Sequence, residues 1–64
     1  MQLFTVTGMT CAHCVRAVTA AVRQRDAAAE VAIDLATGRV EIESAVARAD
    51  LAEAILEEGY GITD

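Results

Sequence analysis

Proline and lysine are both missing from this 64-residue chain, phenylalanine and tyrosine occur once each, and cysteine occurs twice. Without lysine, five arginines face ten carboxylates, for a net charge of −5. That balance lacks the run of cations that displaces counterions from a nucleic acid or holds an anionic membrane surface. No apolar run approaches the roughly 18 residues that a spanning helix needs, so membrane insertion is excluded. The opening residues "MQLFTVTGM" have neither the basic start nor the apolar stretch of a signal peptide. With Met1 as the native start, a cytoplasmic protein is expected. Reducing conditions there keep thiols free, so two cysteines three apart point to metal or redox chemistry more than to a disulfide staple.

The residues present suit one small fold, a single domain over residues 1–64. The apolar fraction is 55%, but fourteen of those residues are alanine, so the core is thin for the chain entropy it must offset. "LFTVT" (3–7) alternates, with Phe4 and Val6 on one face, and Gly8 ends the strand. From Ala12 to Arg25 the period becomes helical: Val15, Val18, Ala21 and Val22 fall inward, while Arg16, Thr19 and Arg23 form a solvated face. "EVAIDL" (30–35) alternates again and directs Val31, Ile33 and Leu35 inward. A turn at Gly38 leads to "RVEIE" (39–43), with Val40 and Ile42 inward. Residues 47–58 predict a second helix burying Leu51, Ala54 and Ile55, with Asp50, Glu53 and Glu57 as an acidic outer stripe. Gly59 stands at its C-cap, and a last short strand runs through Ile62. Strands apolar on one side only need helices on that side. The order β-α-β-β-α-β therefore predicts an α+β, ferredoxin-like two-layer sandwich: an antiparallel sheet with two helices on one face.

All the soft or reactive side chains but one methionine crowd into "GMTCAHC", Gly8 to Cys14. Both cysteines lie in the loop and first turn of the first helix. There free N–H groups and the helix dipole favour a thiolate, and one turn of spacing lets both sulfurs converge. A redox dithiol, a metal site and a pair of idle cysteines are the competing readings. Thioredoxin-like enzymes place C-x-x-C at a helix start too, but in longer chains and beside a cis-proline. Haem attachment needs C-x-x-C-H, whereas His13 precedes Cys14. Structural zinc and iron–sulfur clusters want four ligands, more than two cysteines and one histidine supply. His13 diverges from Cys14 by about 100° on a helix, which makes it a neighbour of the site or a surface residue more than a ligand. Two convergent thiolates suit a soft ion of low coordination, commonly Cu(I), with Ag(I) or Hg(II) fitting the same pair.

"GMTCAHC" resembles the G-M-x-C-x-x-C motif of the heavy-metal-associated domain family. "TGRVEI" and "LAEAILEEGY" resemble that family's third strand and second helix, so the likeness spans nearly the whole chain. The closest branch is that of free-standing bacterial copper chaperones of the CopZ type. The resemblance implies Cu(I) on Cys11 and Cys14, and Met9 packed beneath the loop. It also implies Tyr60 beside the metal loop, where it serves packing or shields the site, with Gly8 and Thr10 supporting the loop. It implies a non-enzymatic carrier that passes its ion to a copper-transporting P-type ATPase or its metal-binding domain. The carrier is expected to be a monomer when apo, with a metal-bridged dimer as the loaded alternative. An excised domain of such an ATPase and a mercury-binding relative remain alternatives, and a thiol redox protein a further one. Where relatives carry a glycine between the first helix and second strand, this chain has Ala27, so a different helix end is expected. The residues flanking the loop (Thr10, Ala12, His13, Arg16 and those around Tyr60) should meet the acceptor. The stripe of Glu53 and Glu57 predicts an acceptor with a basic surface.

Overall fold

In the computed structural model, which describes residues 1–63, the chain forms β1 (Gln2–Thr7), α1 (Ala12–Arg25), β2 (Glu30–Asp34), β3 (Arg39–Glu43), α2 (Arg48–Glu57) and β4 (Gly61–Ile62). The strands lie in the order β2-β3-β1-β4 and every pairing is antiparallel. This is the ferredoxin-like arrangement that the alternating and helical periods predict. Phe4 and Val6 of β1 and Val40 and Ile42 of β3 point to one face of the sheet. They meet Val18 and Val22 of α1 and Leu51 and Ile55 of α2 there, all essentially without solvent contact. Each such side chain contributes about 1.5–3 kcal/mol by leaving water, so these few positions carry most of the folding drive.

Three expected core positions are less covered than the pattern implied. Val31 and Ile33 are half-buried because β2 is an edge strand, and Val15 is half-buried at the start of α1. Leu35 is not inward: β2 ends at Asp34, and Leu35 stands 39% exposed in the following turn. Alternation continued one residue past the point where the Asp34 carboxylate accepts the Ala36 N–H and closes the turn.

The end of α1 is built without glycine. Asp26 caps it in an extended conformation, its N–H bonded to the Val22 carbonyl at 3.0 Å. Its carboxylate accepts the Ala28 N–H (3.0 Å) and the Ser44 hydroxyl (2.7 Å), which holds that carboxyl below its ordinary pKa, the Ser44 bond being the larger cause. A side-chain-capped turn thus replaces the left-handed glycine, and Ala27 needs no positive φ.

The hairpin between β2 and β3 closes onto β1, because the Val6 N–H donates to the Gly38 carbonyl at 2.8 Å. Gly38 has φ +76°, and a Cβ there would collide with the Val6 backbone oxygen. This is the strand that leads directly into the cysteine loop. Gly38→Ala is expected to cost about 1–3 kcal/mol for the strained conformation, and more for the backbone clash. A fall in the urea midpoint with an unchanged m-value would register it, while an unchanged midpoint would contradict the tight approach.

The acidic stripe of α2 engages α1. Arg25, in the last turn of α1, donates to Glu53 (3.3 Å), Glu57 (3.1 Å) and the Asp50 carbonyl (3.3 Å). Glu53 and Glu57 therefore share a guanidinium that ties the two helices together, while their side chains stay 64% and 63% exposed. Exposed pairs of this kind add little stability individually, about 0–1 kcal/mol.

Candidate metal centre

Gly8 lets the chain leave β1 sharply, at φ +94°. Cys11 then serves as N-cap of α1 in an extended conformation, with no side-chain oxygen to accept a first-turn N–H. Its carbonyl accepts the N–H groups of Cys14 (3.0 Å) and Val15 (3.3 Å), which fixes both cysteines within one turn. Both are free thiols: Cys11 is exposed and Cys14 partly covered. The end of α1 that carries them is the positive end of the helix dipole.

Cys14 is the more heavily supported sulfur. The Thr10 backbone amide bonds it and is the largest reason its pKa falls from 9.0 to about 6. The Tyr60 hydroxyl is the next cause, partial burial opposes both, and the Cys11 amide and Thr10 hydroxyl add to the lowering. The Thr10 Oγ1 lies 4.0 Å from the Cys14 Sγ. Tyr60 answers in kind, its own pKa raised to about 12, first because its proton is held toward Cys14 and then by burial. A hydroxyl that donates to a neighbouring thiolate stabilises that charge and keeps its own proton, so the two shifts describe one interaction.

The remaining loop residues divide clearly. Met9 is half-buried and packs against the core beneath the loop. Tyr60 is half-buried against the same core, and its ring edge faces Gly8: a Cβ at Gly8 would meet Cδ1 at 3.5 Å, an ordinary contact. Thr10 is exposed, as is His13 on the outer face of α1. Gly8, Thr10, Cys14 and Tyr60 are thus brought together, while His13 faces solvent. Among the described residues, no group of three His, Cys, Asp or Glu side chains is placed to hold a metal ion. The Thr10 amide is the contributor that side-chain chemistry could not reveal, since backbone donors leave no mark in a sequence. Nor does any local pattern link Arg25 to carboxylates 28 and 32 residues away.

Fold and loop define a class: a small α+β sandwich with a paired-thiol loop at one end of its sheet. The chain belongs to the heavy-metal-associated domain family, whose profile matches residues 3–61. It is 37% identical over 60 residues to the copper chaperone CopZ of Bacillus subtilis, covering 89% of this chain and 87% of that one. Among solved structures, the copper chaperone Atx1 from Synechocystis PCC6803 superposes with a TM-score of 0.94 at 36% identity, over 98% of this chain and all of that one. A gold binding protein superposes with a TM-score of 0.88 at 30% identity, over 94% of this chain and 92% of that one. No helix among the described residues is long and apolar enough to cross a membrane.

Proposed function

We propose that this protein is a cytoplasmic copper metallochaperone that holds one Cu(I) between the thiolates of Cys11 and Cys14. Its acceptor is a copper-transporting P-type ATPase or that pump's metal-binding domain. The observation that carries the reading is the pair of free thiols at the start of α1, with the Cys14 thiolate favoured near neutral pH. The copper chaperones it resembles over almost their full length support it. Two soft anionic donors, with no third such side chain grouped with them among the described residues, suit an ion content with low coordination. That leaves a position at which an acceptor thiolate adds to the ion, after which Cys11 or Cys14 departs as a thiolate. Copper keeps its oxidation state and only Cu–S and S–H bonds are exchanged, so no enzymatic turnover is assigned.

Competition of Cu(I), Ag(I), Zn(II) and Hg(II) against chelators of known affinity tests this assignment. A one-to-one Cu(I) complex far tighter than the Zn(II) complex is expected, and preference for Zn(II) would overturn it. Tighter retention of Hg(II) with no transfer of Cu(I) would favour a mercury-binding role. The likeness to a gold binding protein makes that arm informative. The lowered pKa of Cys14 also suits a thiol redox protein. An insulin-reduction assay separates the two, since a carrier gives no disulfide-exchange turnover.

His13 stands beside the thiolates on the exposed side of α1. His13→Ala is expected to retain one Cu(I) per chain while altering the pH dependence of binding or the self-association of the loaded form. Loss of the complex in that variant would make His13 a ligand.

A further inference from the structure

The sheet has two edges of unequal length. β4 offers two residues, too few to hold another strand, whereas β2 offers five, Glu30–Asp34. Every second residue of β2 turns its N–H and C=O away from β3, and no other strand takes them. Its side chains are incompletely used on both faces. On the helix side Val31 and Ile33 stay half-buried, although their register partners on β3, Ile42 and Val40, are fully covered. On the open side Glu30, Ala32 and Asp34 are exposed. Glu30 stands directly opposite Glu43, a like-charge pairing that weakens the sheet. Glu43 takes the Met1 ammonium at 3.7 Å, whereas Glu30 has no ion pair among the described residues. Asp34 accepts the Ala36 N–H, and its register partner Arg39 pairs with Glu41 instead. Met1, Glu30, Ala32, Glu41 and Glu43 line a shallow hollow of about 230 Å³ beside the strand. The turn accounts for Asp34, but no contact of the fold accounts for Glu30.

We propose that β2 is a docking edge for an extended segment of another protein, which joins the sheet as a fifth strand. The segment alternates: cations stand opposite Glu30 and Asp34, and aliphatic side chains opposite Val31 and Ile33. Its backbone takes up the unused N–H and C=O groups, and its aliphatic side continues the apolar layer past Val31 and Ile33. The cation opposite Glu30 reaches the hollow and relieves the Glu30–Glu43 repulsion. Antiparallel addition continues the pattern of the whole sheet. Charge also selects among occupants. Two copies pairing antiparallel about Ala32 set the Glu30 of each against the Asp34 of the other, which disfavours a second copy. The same carboxylates repel nucleic acid and anionic membrane surfaces. At about 4.8 Å per strand, the added strand lies about 14 Å from β1, whose end leads into the cysteine loop. The thiols stay open, so one partner can hold the protein while another exchanges its ion. The surface needs no metal and stands or falls apart from the carrier reading.

The probe is the end-capped peptide Ser-Lys-Val-Thr-Val-Lys-Ser, titrated into the apo protein at low ionic strength and followed by amide NMR. Centred on Ala32, it sets lysine opposite Glu30 and Asp34 in either strand direction. Shift changes are expected along β2 and at Glu41 and Glu43, with the Gly8 to Cys14 loop unmoved. The outward amides of β2 should gain protection from hydrogen exchange. Peptides N-methylated on alternate residues separate backbone pairing from charge attraction: one phase should lose binding and the other retain it. Glu30→Lys with Asp34→Asn is expected to weaken binding on the order of tenfold, and glutamate in place of the peptide's lysines should recover part of it. Both positions are exposed, and asparagine keeps an acceptor for the Ala36 N–H. Equal binding by the two N-methylated phases, or unchanged affinity in the charge variant, would overturn the docking edge. So would shift changes confined to the cysteine loop, or no binding at millimolar peptide. Concentration-dependent self-association through β2 would make the occupant a second copy and overturn the assignment to another protein.

Discussion

Cys11→Ser and Cys14→Ser are each expected to abolish tight Cu(I) binding while leaving the fold in place. A serine hydroxyl is a hard donor that stays protonated at neutral pH, so either variant leaves a single thiolate to hold a soft ion. The loss should exceed the roughly 100-fold that follows removal of an outer hydrogen-bond partner of a metal ligand. The fold should survive because Cys11 is exposed, Cys14 is half-covered, and neither belongs to the buried core. In Cys11→Ser the new hydroxyl takes the N-cap position of α1, where serine is favoured. Chelator competition gives the affinity and urea unfolding the stability. Near-wild-type affinity in either variant would remove that cysteine from the site. An unfolded variant would show instead that the thiols hold the loop together.

Cys14 is expected to titrate near pH 6 in the apo protein, and to do so because of its neighbours. A thiol with the ordinary value of 9.0 is about 1% ionised at pH 7, whereas one at about 6 is about 90% ionised. Alkylation of a Cys11→Ser variant should therefore rise through pH 6 and level off before pH 8. Tyr60→Phe removes one of the donors and should move the midpoint upward. A midpoint unmoved by that change would mean that the Tyr60 hydroxyl does not support the thiolate. The same shift has a consequence for stability, and its sign follows from proton uptake. The folded value lies below the unfolded one, so between pH 6 and 9 the unfolded chain binds more protons at this position. The contribution of Cys14 is thus fully present above pH 9 and disappears as pH falls through 6. The stability difference between wild type and Cys14→Ser should widen from pH 6 toward pH 9, and a difference that narrowed would contradict the lowered pKa.

Much of this protein is determined by its sequence alone, because the governing interactions are local or periodic. Alternation set β1 and β3, and the helical period of Val18, Ala21 and Val22 set α1 from Ala12 to Arg25. One-sided strands and two helices in that order admit few packings other than the observed sandwich. The candidate site was legible for the same reason: Cys11 and Cys14 are three residues apart at a helix start, and their proximity needs no tertiary contact.

Tertiary structure decided what depends on groups distant in the chain or on the backbone itself. It brought Tyr60 to Cys14 across 46 residues, and it aimed the Thr10 amide, a donor every residue has, at one sulfur. It ended β2 before Leu35 and left Val31 and Ile33 half-covered, because alternation records which face a side chain takes but not how far the helices extend over an edge strand. It also redistributed the charge. Composition gives a net value, whereas Arg25 pairs with Glu53 and Glu57, Arg39 pairs with Glu41, and Arg16 and Arg23 on the helix that bears the thiols have no carboxylate partner among the described residues. Which charges cancel depends on distances of a few ångströms between elements, and only the packing of α1 against α2 sets those distances.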